Sequence, residues 1–462
     1  GGGRSRAAYL LAATEWGDHL TTLIAPVAAA GRSAMVVAAT ALEARSIAAG
    51  LARTFGERVV LAGPDLSDRD LTTNWQLAST APGSILVGTH RVAFWPVAQL
   101  GLAVIVEEGR RGMKDRQTPT VHAREILKTR ARIERFGLVY LGRVPSTEVV
   151  GAGTEIIRAP GRHRCWQLVE VVDRGEEPPG SGILTDRVRA ALRNAVARNE
   201  RVFLFTHRHG YAPASRCARC RELRRCPGCG SRPDQGTSCA RCGAPLGPCQ
   251  TCGAARFEPL GAGVGRVIEE ARRVVGSEKV GSVEDNRPVI VGTERDLIRV
   301  GTIDLTVAVD ADGLILGTNY RAAEEALRVL VRVAGLVPFG RGKRLMVQTS
   351  QPNHPVITAL RRGDPLEFLE SELAVRSTLG FPPIGELIVL EVRNAGPHSG
   401  STIDEAVGDD ATVYGPATVP RGLRWLIQGT RLTPVRMRLR VAVQQLRDAG
   451  AAVRVDVDPL DL

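Results

Sequence analysis

The sequence Ser84-Ile85-Leu86-Val87-Gly88-Thr89 is typical of a buried strand, and Pro288-Val289-Ile290-Val291-Gly292-Thr293 repeats its pattern much later in the chain. Each is a short apolar run that ends in Gly-Thr. Residues 102–106 and 305–309 form a second matching pair of apolar runs. Uncharged runs separated by helical stretches are typical of parallel strands covered by helices on both faces. The sequence therefore predicts an α/β protein with two lobes of the same design.

Composition limits the classes of protein to consider. The chain has 462 residues, of which 44% are hydrophobic and 24% charged. This balance is typical of a folded chain with more than one core and excludes a fibrous or mostly disordered protein. No uncharged apolar run approaches the roughly 18 residues of a membrane span, so no membrane partner is expected.

The net charge points to a polyanionic partner. It is +12, from 61 basic and 49 acidic residues, and such an excess favours nucleic acid. Only Lys114, Lys128, Lys279 and Lys343 are lysines. The arginine preference of a GC-rich genome therefore stays open as a second explanation of the charge.

Eight of the nine cysteines lie between Cys217 and Cys252, in four Cys-x-x-Cys pairs. This grouping is typical of metal binding in a reducing cytoplasm rather than of a disulfide framework. Two pairs complete a tetrahedral site of four thiolates, so eight cysteines predict two zinc ions, with an iron–sulfur cluster as the alternative. Gly230, Gly243 and Gly253 each follow a pair and suit a turn with positive φ.

The cysteine segment has few apolar residues, so metal binding must supply its folding energy. It is also dense in arginine, which favours contact with nucleic acid or a partner over simple solvation. The arginines concerned are Arg216, Arg219, Arg221, Arg224, Arg225, Arg232 and Arg241.

Changes of texture along the chain predict its division. The first α/β lobe covers residues 1–150. The second covers 151–215 and 257–365, interrupted by a cysteine-rich zinc-binding insertion at 216–256. A small α+β domain follows at 366–462, after a helix that Pro382-Pro383 ends.

Several motifs resemble one family. They are Phe205-Thr206-His207-Arg208-His209-Gly210-Tyr211-Ala212-Pro213 before the cysteines, Val87-Gly88-Thr89-His90-Arg91, His122-Ala123-Arg124-Glu125, Tyr320-Arg321-Ala322-Ala323-Glu324 and Val455-Asp456-Val457-Asp458-Pro459-Leu460. Over nearly the whole chain the sequence resembles the PriA family of primosomal replication-restart DNA helicases. The resemblance implies two RecA-like helicase lobes, a two-zinc insertion in the second lobe, and a small C-terminal domain.

The resemblance also implies how the cysteines pair and what the protein binds. Cys217, Cys220, Cys249 and Cys252 would hold one zinc, and Cys226, Cys229, Cys239 and Cys242 the other. The implied partners are branched forks, single-stranded DNA and primosome proteins, in the bacterial cytoplasm with the nucleoid. The family's amino-terminal domain, which captures the 3′ end of a leading strand, is expected before residue 1.

The ATPase motifs of that family are altered here. A translocating helicase needs a phosphate loop that ends in Gly-Lys-Ser/Thr, and none of the four lysines stands in such a context. The magnesium box, expected as Asp-Glu-x-His, has lost its aspartate and its histidine. The four altered segments read Glu15-Trp16-Gly17-Asp18-His19-Leu20-Thr21, Val106-Glu107-Glu108-Gly109, Gly142-Arg143-Val144-Pro145 and Arg332-Val333-Ala334-Gly335-Leu336-Val337-Pro338. We therefore expect no catalytic residue, no nucleotide site, and no use of ATP or magnesium.

The sequence thus predicts a DNA-binding replication-restart protein that recruits primosome partners and leaves unwinding to another motor. Its candidate DNA contacts are Arg219, Arg224 and Arg225 in the insertion, and Arg424 and Trp425 in the C-terminal domain. One alternative is an active ATP-dependent 3′–5′ DNA helicase. Another is a zinc scaffold that binds only proteins.

Overall fold

A computed structural model describes most of the chain. The described residues are 7–11, 16–115, 117, 120–158, 164–178, 182–207, 214–220, 222–231, 233, 236–239, 243–260, 263–317, 319–340, 342–419 and 422–461. No helix among them is both long and apolar enough to cross a membrane.

The first sheet is parallel. Its strands are β1 (Ala7–Leu11), β2 (Ser33–Val37), β3 (Val59–Ala62), β4 (Ile85–Gly88), β5 (Leu100–Val106), β6 (Gly137–Gly142) and β7 (Glu155–Arg158). The helices between them are α1 (Trp16–Ala29), α2 (Ala41–Phe55), α3 (Asp68–Thr80), α4 (Ala123–Glu134) and α5 (Thr147–Gly151). The strand order is β3-β4-β2-β5-β6-β1-β7, and each pairing is parallel.

The second sheet repeats the design. The strands of this part of the chain are β8 (Val169–Asp173), β9 (Val202–Phe205), β10 (Ala214–Cys217), β11 (Phe257–Leu260), β12 (Val280–Gly281), β13 (Val289–Gly292), β14 (Leu305–Ala308) and β15 (Arg344–Thr349). Its helices are α6 (Asp186–Ala197), α7 (Val264–Val275), α8 (Leu297–Val300), α9 (Asp312–Ile315), α10 (Ala322–Ala334) and α11 (Pro355–Arg362). The order β12-β13-β9-β14-β15-β8 matches β3-β4-β2-β5-β6-β1 strand for strand.

Apolar burial explains both sheets. The repeated runs form β4 and β13, and every residue of each strand is buried. A strand buried on both faces cannot alternate polar and apolar residues, which is why these runs are continuous. Side-chain caps fix the helices that cover them: Thr40 accepts from the backbone N–H of Glu43, and Thr185 from that of Val188. The predicted duplication and fold class are confirmed.

The end of the chain forms a third sheet, which is antiparallel where β16 pairs with its two neighbours. The elements are α12 (Leu366–Leu379), β16 (Glu386–Arg393), α13 (Ser399–Val407), β17 (Thr412–Val419), β18 (Gly422–Gly429), α14 (Thr433–Asp448) and β19 (Ala452–Val457). The strand order is β17-β18-β16-β19. Helices α13 and α14 pack on one face, over a core that contains Ile388, Trp425 and Leu439.

The chain divides into two compact units. One comprises Gly1–Cys165, Pro365–Thr418 and Gly422–Leu462, and the other Trp166–Asp364 with Val419–Arg421. The first unit thus contains the first and third sheets, and the second contains the second sheet and the cysteine segment. The finer division into two lobes, an insertion and a C-terminal domain stays a prediction.

Candidate functional site

The cysteine segment is built on a two-stranded antiparallel ribbon. β10 pairs with β11, and Cys217 lies opposite Phe257. The first Cys-x-x-Cys pair therefore begins where β10 ends, and the last pair lies a few residues before β11 begins. This pairing brings the two ends of the segment together.

Four cysteines meet beside the ribbon and form what we name the outer cluster: Cys217, Cys220, Cys249 and Cys252. Their Sγ atoms all lie within 4.8 Å of one another. The Sγ atoms of Cys217 and Cys252 are 3.5 Å apart, as are those of Cys220 and Cys249. Four thiolates at about 2.3 Å from one zinc ion place neighbouring sulfur atoms about 3.8 Å apart. The donor set and its spacing fit a tetrahedral zinc ion.

The inner cluster lies farther along the segment and comprises Cys226, Cys229 and Cys239. Their Sγ atoms also lie within 4.8 Å of one another, and those of Cys229 and Cys239 are 3.7 Å apart. Cys242, the fourth predicted ligand, lies outside the described residues. The described cysteines thus group as the nested pairing places them, and each cluster could hold a metal ion.

Backbone turns shape both clusters. The N–H of Gly230 donates to the carbonyl of Cys226 at 2.9 Å, and the N–H of Gly253 to that of Cys249 at 2.8 Å. Their φ angles are +66° and +69°, and Gly243 has +76°, so the predicted positive φ is confirmed. Backbone N–H groups of Cys252 and Thr251 lower the pKa of Cys249 to about 6. The thiolate is the form that binds metal.

The arginines of the segment differ in what they do. Arg219 and Arg225 are exposed. Arg224 is half-buried, and its guanidinium donates to the carbonyl of Gly236 at 3.0 Å and lies 4.2 Å from the centre of the Phe257 ring. Arg221, Arg232 and Arg241 lie outside the described residues. A DNA contact by Arg224 would compete with these internal contacts.

The two candidate DNA contacts of the third sheet are also engaged. Trp425 is 2% exposed and packs in the core under α13 and α14. A buried ring cannot stack on a base, so the position of Trp425 conflicts with its prediction as a DNA contact. Arg424 is partly exposed and binds Glu391 at 2.6 Å.

The altered magnesium box forms a buried ion pair in the first sheet's unit. Glu108 is fully buried and accepts from Arg124 at 2.7 Å and from the backbone N–H of Ser146 at 2.8 Å. Burial opposes the charge of Arg124, but nearby carboxylates, that of Glu148 first, raise its pKa above the usual value. The carboxylate of Glu108 is thus occupied by structural donors.

Its neighbour Glu107 is also paired. Arg110 lies 3.6 Å from the carboxylate of Glu107 and also forms an ion pair with Glu43 at the start of α2. Glu107 and Glu108 are adjacent in the chain but have different partners. Val106, at the position of the metal carboxylate, is buried. Around α1, the guanidinium of Arg143 lies 4.8 Å from the ring centre of Trp16, and Glu15 lies outside the described residues.

Lys114 makes structural contacts that the sequence does not indicate. Lys114 is buried and donates to Asp456 Oδ1 at 2.6 Å and to two backbone carbonyls, those of Val457 and Asp458, at 2.7 Å. It ties the segment after β5 to β19. Such a contact joins residues more than three hundred positions apart, so no local pattern could have revealed it.

The two parallel sheets share one strand order, and two cysteine clusters that could each hold a metal ion lie in the part of the chain that contains the second sheet. These features define the class as an α/β protein with two matching parallel sheets and a cysteine-rich segment. Its sequence relatives are replication restart proteins named PriA. That of Mycobacterium leprae is 26% identical over 502 residues, which cover 97% of this chain and 76% of the relative. That of Synechocystis is 26% identical over 477 residues, covering 88% and 56%. That of Bacillus subtilis is 24% identical over 416 residues, covering 79% and 51%.

The resemblance to the PriA family is therefore confirmed across bacteria of different groups, at an identity near 26%. The chain spans about half the length of the Synechocystis and Bacillus relatives and three quarters of the mycobacterial one. No protein-family profile matches the sequence.

The solved structures that the chain matches include RecG bound to a three-way DNA junction and the helicase MrfA bound to DNA and AMPPNP. RecG has a TM-score of 0.44 and 12% identity, covering 80% of this chain and 43% of RecG. MrfA has a TM-score of 0.42 and 10% identity, covering 79% and 48%.

Proposed function

We propose that this chain is a replication-restart protein that binds stalled or abandoned DNA forks and recruits primosome partners without a helicase activity of its own. One observation carries the proposal: the chain aligns with a replication restart protein over 97% of its length, yet has no Gly-Lys-Ser/Thr phosphate loop. The proposal includes a location in the bacterial cytoplasm, which the bacterial origin of these relatives supports.

The loss of ATP hydrolysis is supported by independent changes in one chemical site. The lysine that would contact the β- and γ-phosphates is absent, and Val106 stands where a carboxylate would hold magnesium. Glu107 and Glu108 remain, but each is paired with an arginine of the same unit. A carboxylate held by internal donors is poorly placed to activate a water.

Two zinc ions complete the protein in this proposal. The outer cluster would hold one, and the inner cluster with Cys242 the other. A site of four thiolates has no open position for a substrate, so each ion would be structural. It would supply the folding energy that the few apolar residues of the segment cannot.

DNA contact is assigned to phosphates rather than bases. Arg219 and Arg225 are exposed on the insertion, and the net charge of +12 favours a polyanion. Phosphate contacts carry no sequence information, so forks would be recognised by shape.

Titration of labelled forks at several salt concentrations tests this proposal. We expect fork binding without ATP, weakening with salt at a log–log slope near about −0.9 for each phosphate neutralised, at about the same affinity for unrelated sequences. Duplex DNA of the same length is the control for branch recognition. Absence of salt-dependent fork binding would favour the zinc scaffold that binds only proteins.

A further inference from the structure

Two short segments of the chain, which we together name the neck, join the two clusters. The chain runs from the outer to the inner cluster through residues 221–225 and returns through 243–248. We define the neck as the described parts, residues 222–225 and 243–248. Contacts between these two segments therefore hold the inner cluster in position relative to the outer cluster.

The side chain of Arg224 crosses the neck. Its guanidinium donates to the carbonyls of Leu246 and Gly247 on the returning strand, each at 3.3 Å. It also donates to Gly236, three residues before Cys239 of the inner cluster. The flat face of the guanidinium lies over the ring of Phe257, and Phe257 pairs with Cys217 in the ribbon. One guanidinium therefore contacts chain that belongs to both clusters.

The chemistry of these contacts requires arginine. A guanidinium is planar, presents five N–H donors and stacks on aromatic rings, so it can serve three carbonyls and a ring at once. A lysine ammonium is a compact charge without a stacking face. Arg225, the next residue, is exposed and provides a matched control.

We propose that Arg224 couples the two metal sites, so that an ion in one cluster slows the loss of the ion from the other. The proposal rests on the two-zinc content proposed above. An ion in either cluster orders its side of the neck, and the contacts of Arg224 transmit that order to the other side. A site that is already ordered binds its ligand at a lower cost in entropy, which is positive coupling. Arg224 is thus a positioning residue that touches no metal.

Zinc release from the full chain to a colorimetric chelator, 4-(2-pyridylazo)resorcinol, tests the coupling. Cys229→Ser disables the inner site and leaves one zinc in the outer cluster. With Arg224 present, we expect Cys229→Ser to speed the release of the outer zinc about tenfold, within the usual range of coupling between sites. In the Arg224→Met background, we expect Cys229→Ser to have no further effect on that release.

The same cycle with Arg225→Met in place of Arg224→Met is the control, and it should retain the tenfold effect. Arg224→Lys should behave like Arg224→Met, which separates the planar guanidinium from its charge. The thermal transition of the second sheet, unchanged in all variants, verifies that the lobe stays folded. A purely local destabilisation by Arg224→Met would speed release but leave the effect of Cys229→Ser intact.

An effect of Cys229→Ser that is equally large with and without the Arg224→Met substitution would overturn the coupling. Release of both ions at independent rates from the unaltered chain would overturn it as well. If the unaltered chain holds fewer than two zinc ions, the proposed metal content fails instead, so the two failures are distinguishable.

Discussion

The second sheet and the cysteine segment belong to one unit but are held together by different chemistry. In the sheet, β9, β13 and β14 are buried along their whole length, and Leu204 and Val307 are fully enclosed. In the segment, the buried apolar side chains of the described residues are those of Pro233 and of four cysteines, Cys217, Cys226, Cys239 and Cys249. The sheet therefore has an apolar core of its own, and the segment has sulfur in place of one. Removal of the metal should therefore unfold the cysteine segment and leave the second sheet folded.

The largest difference between the two regions is expected when a ligand of the inner cluster is removed. Cys226→Ala should reduce the zinc content to about one ion per chain and leave the inner part of the segment unfolded, because structural zinc supplies roughly 10–16 kcal/mol in small domains. Metal analysis and limited proteolysis of residues 214–260 measure this effect. Cys165→Ala, at a buried cysteine outside the clusters, should keep both ions. Iron in place of zinc would support the iron–sulfur alternative.

A substitution in the apolar core of the second sheet tests the other region. Leu204→Ala in β9 should lower the free energy of unfolding by about 4 kcal/mol, since it leaves a cavity in a fully buried strand. The zinc content should not change. Denaturant unfolding measures the first effect and metal analysis the second. Leu316→Ala, at a side chain that is 62% exposed, should change stability by less than about 0.5 kcal/mol.

The buried pair of the first sheet's unit gives a smaller effect. Glu108→Gln should cost about 3 kcal/mol, because Arg124 loses its closest buried counter-charge. Denaturant unfolding again provides the measurement. Glu125→Gln, which removes an exposed partner of the same arginine, should cost less than about 1 kcal/mol. Equal costs for the two variants would show that burial of Glu108 contributes nothing.

The exposed arginines should give the smallest change. Arg219→Ala with Arg225→Ala should make the salt slope of fork binding shallower, by up to about 0.9 for each phosphate that is no longer neutralised, with both zinc ions retained. Arg224 is left out because its guanidinium has a structural task inside the segment. Labelled-fork titration checks the slope. An unchanged slope would remove these two arginines from the DNA surface.

Local sequence patterns predicted many elements of this structure. Continuous apolar runs indicated β4 and β13, and the Cys-x-x-Cys spacing indicated both clusters, because each signal lies within a few residues. The burial of Trp425 could also have been predicted, since Trp425 and Ile427 lie at alternate positions between the polar residues Arg424 and Gln428, which is typical of a strand with one face in a core.

Contacts between distant residues could not be predicted. Glu108 meets Arg124 and Ser146 only after β5, α4 and α5 are assembled, and Lys114 meets Asp456 across most of the chain. In the sequence, Arg224 is one basic residue in a basic segment. Only the fold distinguishes an arginine that crosses the neck from one that faces solvent.

The proposed absence of ATP hydrolysis is tested by measuring ATP turnover on a bound fork. The zinc-loaded chain is mixed with a fork that it binds, and phosphate release is followed with magnesium and ATP present. We predict no DNA-stimulated turnover above the buffer background, because nothing replaces the phosphate-loop lysine or the carboxylate at Val106. DNA-stimulated turnover that disappears in Glu107→Gln would contradict the account and support the active helicase.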